Sequence, residues 1–174
     1  MTFLILAYWH DPRFKKKPGG LIRMFELADN LLELGHHVTM VLPKLGFPKT
    51  QTLANVVEIP FFDAPLLRPL CFHVLSTLYL AFACLQGVDR LYVRQMNSFL
   101  PLLISKLGGV ISYFEIPNDP YLGYSFIGPG KRLLVKGIDR LCMVLADRNV
   151  VLSEWSKNRL HALGGIPLQK ILVF

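Results

Sequence analysis

The sequence predicts an α/β domain built on a doubly wound, mainly parallel sheet flanked by helices. Three observations predict it. Short apolar runs alternate with helix-period segments along the whole chain. Glycine or proline punctuates most handovers between them. The 174 residues are 52% hydrophobic and 18% charged, which suits one domain with a sizeable core and excludes a disordered chain.

The elements follow in order. Thr2 to Tyr8 is a continuous apolar run, as expected of a strand buried on both faces. A polar loop from His10 to Pro18 carries Arg13, Lys15, Lys16 and Lys17. Gly19 and Gly20 open a helix with Leu21, Phe25, Ala28 and Leu32 on one face and Arg23, Glu26, Asn30 and Glu33 on the other. Gly35 stops it, and His37 to Leu42 is the second strand. This β-α-β unit implies a parallel pair with a right-handed crossover. The alternation continues with a strand at Val56 to Ile59, a very apolar helix at Leu70 to Leu85 and a strand at Arg90 to Val93. A helix at Ser98 to Leu107 and a strand at Val110 to Glu115 come next. A long loop from Ile116 to Gly130 precedes a helix at Lys131 to Ala146, with Leu134, Ile138, Leu141 and Leu145 on one face. The strand Asn149 to Leu152 leads to Ser153, a hydroxyl placed to cap the helix Glu154 to Leu163, which Gly164 and Gly165 end. Ile171 to Phe174 is a last strand. No internal repeat or low-complexity segment interrupts this order.

Composition bounds the function. The net charge of +7 suits anionic partners such as phospholipid headgroups or sugar phosphates. No stretch interleaves basic and aromatic residues as a single-strand binder would, so nucleic acid is set aside. The mean hydropathy of +0.41 implies apolar surface covered by something outside the chain. After Pro69 the apolar segment runs for about sixteen residues, short of the roughly 20 that span a bilayer. It reads as a buried or half-buried helix, with membrane insertion and a peripheral membrane or partner contact as the other readings. Cys71, Cys84 and Cys142 are odd in number and widely spaced, so they read as reduced, buried thiols of a cytoplasmic protein. The apolar start lacks a basic region before it and a cleavage site after it, and reads as a core strand.

In an open parallel sheet, ligands bind at the carboxyl ends of the strands. That rule gathers a set of candidates. Gly19 and Gly20 at a helix start suit close backbone approach to an anion, although neither a dinucleotide fingerprint nor a P-loop is present. His10 and Arg13 follow the first strand, and Arg94, Gln95 and Asn97 the fourth. Arg94 either binds an anion or pairs with Glu115. Glu115, Asn118 and Asp119 end the fifth strand, and Ser153 and Glu154 the sixth. A carboxylate closing a buried strand is costly unless used or paired, so Glu115 is the candidate catalytic group, as base or as orienter of a hydroxyl. Asp119 before Pro120 also suits a turn. The five histidines show no spacing that sets two beside a carboxylate for a metal, and no nucleophile elbow is present.

Three stretches resemble family 4 glycosyltransferases, in the family's order. PGGLIRMFELADNLLELGHHVTMVLP resembles the family's opening: a glycine pair, an amphipathic helix, then Gly-His-x-Val-Thr entering the second strand. DRLYVRQMNSFLPLLISKLGGVISYFEIPND is similar to its fourth strand, helix and fifth strand. ADRNVVLSEWSKNRLHALGGIPLQKILVF is similar to its closing stretch, with Ser-Glu-x-x-Lys, a Gly-x-Pro turn and a Lys-Ile-x-Val strand. In the family that strand runs on into an Asn-Gly-Val-Asp-like turn and a second domain, whereas this sequence ends at Phe174. The likeness is weakest from Gly46 to Gly87.

The resemblance implies the amino-terminal, acceptor-side Rossmann-like domain of a two-domain GT-B enzyme, occupying residues 1–174. It implies a retaining transfer from a nucleotide-sugar, with no metal or other cofactor, in glycan, polysaccharide or glycolipid synthesis. A carboxyl-terminal donor-binding domain would be the partner, and a sugar or lipid-linked molecule the acceptor. Gly19 and Gly20 would approach the donor, and Glu115 stands where some relatives carry a histidine. His10, Arg13, Arg94, Asn118, Asp119, Ser153 and Glu154 would line the acceptor side or the cleft. The expected location is the cytoplasm, or the cytoplasmic face of a membrane. The chain alone is expected to be inactive. The alternative is a stand-alone, non-catalytic half that recruits a separate donor-binding subunit. A flavodoxin-like domain would need a phosphate or flavin loop that the sequence lacks.

Overall fold

The computed structural model describes residues 1–8, 19–44, 52–60, 64, 67–95, 98–117 and 128–174. Seven strands form one sheet: β1 (Thr2–Leu6), β2 (His37–Pro43), β3 (Asn55–Ile59), β4 (Arg90–Arg94), β5 (Ile111–Ile116), β6 (Arg148–Val151) and β7 (Ile171–Val173). Among the described residues five α-helices flank it: α1 (Gly19–Glu33), α2 (Leu67–Leu85), α3 (Leu100–Leu107), α4 (Pro129–Leu145) and α5 (Glu154–Gly164). The strand order is β3-β2-β1-β4-β5-β6-β7, and every pairing is parallel. This is a Rossmann-like α/β architecture.

The order dictates where the helices lie. The chain moves one way from β1 to β2 and the opposite way from β3 onward, so right-handed crossovers put α1 on one face and the later helices on the other. The core divides accordingly. Leu21, Met24, Phe25 and Ala28 of α1 pack against Ile5, Met40 and Tyr92. Phe72, Leu80 and Ala83 of α2, Leu102 of α3, Cys142 and Met143 of α4 and Leu160 of α5 pack against Leu4, Leu6, Leu91, Phe114 and Val151. Alternating residues of each strand thus serve opposite layers. On the α1 side, no helix among the described residues covers β5 to β7, and Ile111, Leu172 and Phe174 stand exposed there.

Two helix ends follow the sequence closely. Ser153 caps α5, its Oγ accepting from the Ser156 backbone N–H at 3.1 Å. Gly165 closes α5 with φ 67°, a left-handed conformation that glycine adopts without a Cβ clash.

The face that α4 buries is not the leucine-rich one read from the sequence. Leu134 and Leu141 are exposed at 65% and 38%, whereas Asp139, Cys142 and Met143 are buried. The helix carries apolar residues on two faces, and the layer seats it on Ile138, Asp139, Cys142 and Leu145. Gln95 makes Asp139 acceptable inside, its Nε2 donating to Oδ2 at 2.8 Å. The cysteines are free, but only Cys142 is fully buried; Cys71 and Cys84 are half-buried. Burial, reinforced by the Asp139 charge, pushes the Cys142 thiol up to about 12. It is therefore a packed, unreactive group.

Candidate functional site

Parallel strands bring their carboxyl ends to one rim, and the rim's most concentrated chemistry sits where β4 and β5 face α1. Arg94 and Glu115 are register partners on adjacent strands. Tyr92 lies two residues before Arg94, so its side chain emerges on the same face, diagonal to Glu115. The Tyr92 hydroxyl donates to Glu115 Oε2 at 2.7 Å. Burial, with the Glu115 charge and that hydrogen bond, raises the Tyr92 hydroxyl well above its ordinary value. It stays protonated and remains a donor.

Glu115 Oε1 meets two cations. Arg23 Nε reaches it from α1 at 3.5 Å, and Arg94 Nη1 from β4 at 3.5 Å. Glu115 is 0% exposed, while the arginine side chains keep 27% and 16% exposure. A lone carboxylate at that depth would be strongly unfavourable, and two guanidinium groups with one hydroxyl offset the loss of water. Neither Oε1 nor Arg23 Nη2 has a hydrogen-bond partner, so charge attraction alone serves that side of the cluster. With two cations and one anion, the cluster is net positive and lies beside the first turn of α1, an end whose free amides also favour an anion.

Gly20 has a local physical reason. Arg94 Nη1 donates to the Gly20 carbonyl at 3.0 Å. A Cβ at Gly20 would stand 2.6 Å from the Arg94 Cζ. The glycine lets the guanidinium lie flat on the helix start, so that Arg94 bolts α1 to β4. Arg23 is clamped from its other side by Phe174, whose ring lies 4.4 Å from the Arg23 Cζ. The Gln95 backbone N–H donates to the Glu115 carbonyl at 2.8 Å, extending the β4–β5 ladder into the rim.

Among the sequence-predicted residues, Gly20, Arg94 and Glu115 thus converge, with Gly19 adjoining in the chain. Ser153 lies at the β6 rim with its hydroxyl engaged in the α5 cap. Glu154 is exposed at 68% and pairs with Lys157 at 3.4 Å. Neither is tied to the cluster by a hydrogen bond or ion pair among the described residues. His10, Arg13, Asn118 and Asp119, with Asn97, lie outside the described residues. Among the described residues, no group of three or more His, Cys, Asp and Glu side chains converges to hold a metal.

Sequence reasoning missed Arg23, Tyr92 and Phe174 as members of the cluster. Arg23 reads as a solvent-facing residue on the helical wheel, and only the rim position of α1 turns it onto Glu115. Tyr92 had a findable signal: once β4 and β5 are taken as neighbours, its two-residue offset from Arg94 places it beside Glu115.

No family model matches the chain, and no curated protein matches it. Solved structures do. A glycosyltransferase from Rickettsia africae superposes with a TM-score of 0.59 at 19% identity, over 99% of this chain and 42% of its own. A UDP-GlcNAc 2-epimerase from Neisseria meningitidis, bound to UDP-GlcNAc, gives 0.61 at 16% identity, over 99% and 45%. The lipopolysaccharide outer core galactosyltransferase WaaB gives 0.60 at 13% identity, over 99% and 45%. The chain therefore has the fold of a Rossmann-like domain of GT-B proteins and spans less than half the length of these three.

Proposed function

We propose that the chain is the acceptor-side half of a retaining, nucleotide-sugar-dependent glycosyltransferase of the family 4 type, acting in glycan, polysaccharide or glycolipid synthesis. One observation carries this reading. Essentially the whole chain superposes on less than half of a glycosyltransferase and of a galactosyltransferase. The acceptor side is assigned by the sequence resemblance, whose opening motif falls on α1 and β2.

In this reading a donor-binding domain meets the rim. The bond from the sugar's anomeric carbon to the nucleotide diphosphate breaks, an acceptor oxygen takes its place on the same face, and the acceptor's hydroxyl proton passes to the departing diphosphate oxygen. Arg23 and Arg94 face that cleft as prepositioned cations, which is the arrangement that favours developing negative charge. Glu115, whose carboxylate is enclosed, acts as the positioning residue that holds both. Gly19 and Gly20 keep side chains away from the start of α1, where the donor would approach and where Gly20 also seats the Arg94 guanidinium. His10, Arg13, Asn118, Asp119, Ser153 and Glu154 complete the acceptor side. No step requires a metal or other cofactor.

A second reading is a stand-alone half that recruits a donor-binding subunit. The uncovered face of β5 to β7, with Ile111, Leu172 and Phe174 exposed, suits a partner in either case. Reconstitution tests both. The chain would be mixed with a donor-binding half, encoded in the same frame or by a neighbouring gene, and sugar transfer followed by mass spectrometry. Transfer is expected only in the mixture. Transfer by the chain alone, or none with any donor half that binds it, would contradict the proposal.

A further inference from the structure

Away from the rim, α2, α3 and α4 form one layer on the same face of the sheet, with their inner sides in a common core. The outer side of that layer is apolar. Leu70, Leu78 and Phe82 of α2 are 57–61% exposed, Leu107 of α3 is 75% exposed, and Leu133 and Leu134 of α4 are 77% and 65% exposed. Along α4 the leucines flank a shallow groove of about 440 Å³ lined by Gly130, Leu133, Leu134, Gly137, Ile138 and Leu141.

Charge in this layer has one sign. Among the described side chains the three helices hold the basic residues Lys106, Lys131, Arg132, Lys136 and Arg140, and one acidic residue, Asp139, which is 1% exposed. Among the described residues of these three helices, the outer surface therefore offers apolar side chains among cations and no exposed carboxylate. A protein partner would usually meet mixed charge at its rim; here the complement is uniformly negative with an apolar layer beneath. No helix among the described residues is long and apolar enough to cross a membrane, so any lipid contact lies along the surface.

We infer that the outer face of the α2–α3–α4 layer docks onto a bilayer rich in anionic phospholipid. The leucines and Phe82 enter the boundary between headgroups and acyl chains, and Lys131, Lys136 and Arg140 meet lipid phosphates, with Lys106 on the neighbouring helix. The strand rim opens on a different side of the molecule from this layer, so docking leaves it free for a second domain. The surface stands whether or not the rim takes a nucleotide-sugar.

The test is sedimentation of the 174-residue chain with vesicles of phosphatidylcholine, and with vesicles of phosphatidylcholine mixed with phosphatidylglycerol. Binding is expected to the mixed vesicles alone and to weaken as salt rises. The triple variant Lys131→Glu, Lys136→Glu, Arg140→Glu is expected to lose about a hundredfold or more in partition, since each basic residue near such a surface contributes about fivefold. Leu133→Asp with Leu134→Asp should lose binding while circular dichroism is unchanged. If the charge-reversed chain melts early, Lys131→Gln with Arg140→Gln and the salt titration of the unmodified chain decide the matter. Equal binding to both vesicle types, no binding to either, or undiminished binding by folded variants would overturn the inference. So would dimers that Leu134→Asp dissociates in a chain that ignores vesicles, an outcome that assigns the face to a second copy.

Discussion

Glu115 at the rim is sealed from solvent, whereas Leu133 on the helical layer is 77% exposed. The first region buries charge and the second exposes apolar surface, each the reverse of what burial energetics favours in isolation. At the rim the inversion is compensated within the chain, because Arg23, Arg94 and Tyr92 surround the carboxylate. On the layer nothing among the described residues compensates it, so the apolar surface points outward to another phase or molecule. The two regions predict opposite responses to substitution. Rim changes should appear first in stability, and layer changes in association.

The largest expected effect comes from removing the enclosed carboxylate. Glu115→Ala leaves two guanidinium groups and the Tyr92 hydroxyl without their shared acceptor. Partial exposure of the arginines softens the loss, which should be about 3 kcal/mol. In a chain of this length that lowers Tm by roughly 6–12 °C. Arg94→Ala in the same background should then cost much less than in the parent, because its partner is already gone. Thermal melts of the two single variants and the double variant measure this, and additive losses would show that the cluster does not act as a unit.

A second break lies within the apolar layer. His73 on α2 is 7% exposed, neither ring nitrogen has a hydrogen-bond partner, and its ring packs 5.2 Å from Tyr8. Burial lowers its pKa from 6.5 to about 4. Above pH 6.5 the ring is neutral in both folded and unfolded chains and has no effect on stability. As pH falls from 6.5 towards 4 the unfolded chain takes up a proton that the folded chain refuses, so stability is lost across that window. The full loss is on the order of 3 kcal/mol. In His73→Phe this component of acid destabilisation should vanish from denaturant titrations; an unchanged slope between those pH values would contradict the assignment.

Gly20→Ala is a smaller test of the rim. The methyl group displaces the Arg94 guanidinium, while alanine favours the helix by up to about 1 kcal/mol. A net loss of about 1 kcal/mol is expected in the parent, turning to a gain once Arg94→Ala removes the obstruction. Chemical denaturation of the pair reads the sign change. Smallest of all, Leu78→Gln and Leu134→Gln should each change stability by less than about 0.5 kcal/mol, because these residues are 61% and 65% exposed. A loss of 2 kcal/mol or more would place them in the core.

Much of this comparison was legible in the sequence, and the reasons are local. The β-α alternation, the face of α1 carrying Leu21, Phe25 and Ala28, the Ser153 cap and the Gly165 stop all follow from backbone rules acting over a few residues. What stayed hidden depends on neighbours distant in the chain. Arg94 and Glu115 were paired as one alternative because both end strands, but Arg23 joins them only because β1 and its helix sit beside β4. Which face α4 buries stayed hidden for a related reason. The stripe Leu134, Ile138, Leu141, Leu145 is a sound helical repeat, yet the competing stripe through Ile138, Cys142 and Leu145 wins when Gln95, from the end of β4, satisfies Asp139. Periodicity shows that a helix is amphipathic; it does not tell which of two apolar stripes faces the sheet.

The most direct test of the central claim is calorimetric titration of the chain with a panel of nucleotide-sugars. An acceptor-side half, whose donor is held by another domain, should show no binding of any of them tighter than the millimolar range. Binding should appear once a donor-binding half is added, and should weaken there when Arg23 or Arg94 is replaced by alanine. Tight binding of a nucleotide-sugar by the chain alone would contradict the division of labour and place the donor site on this chain's own rim.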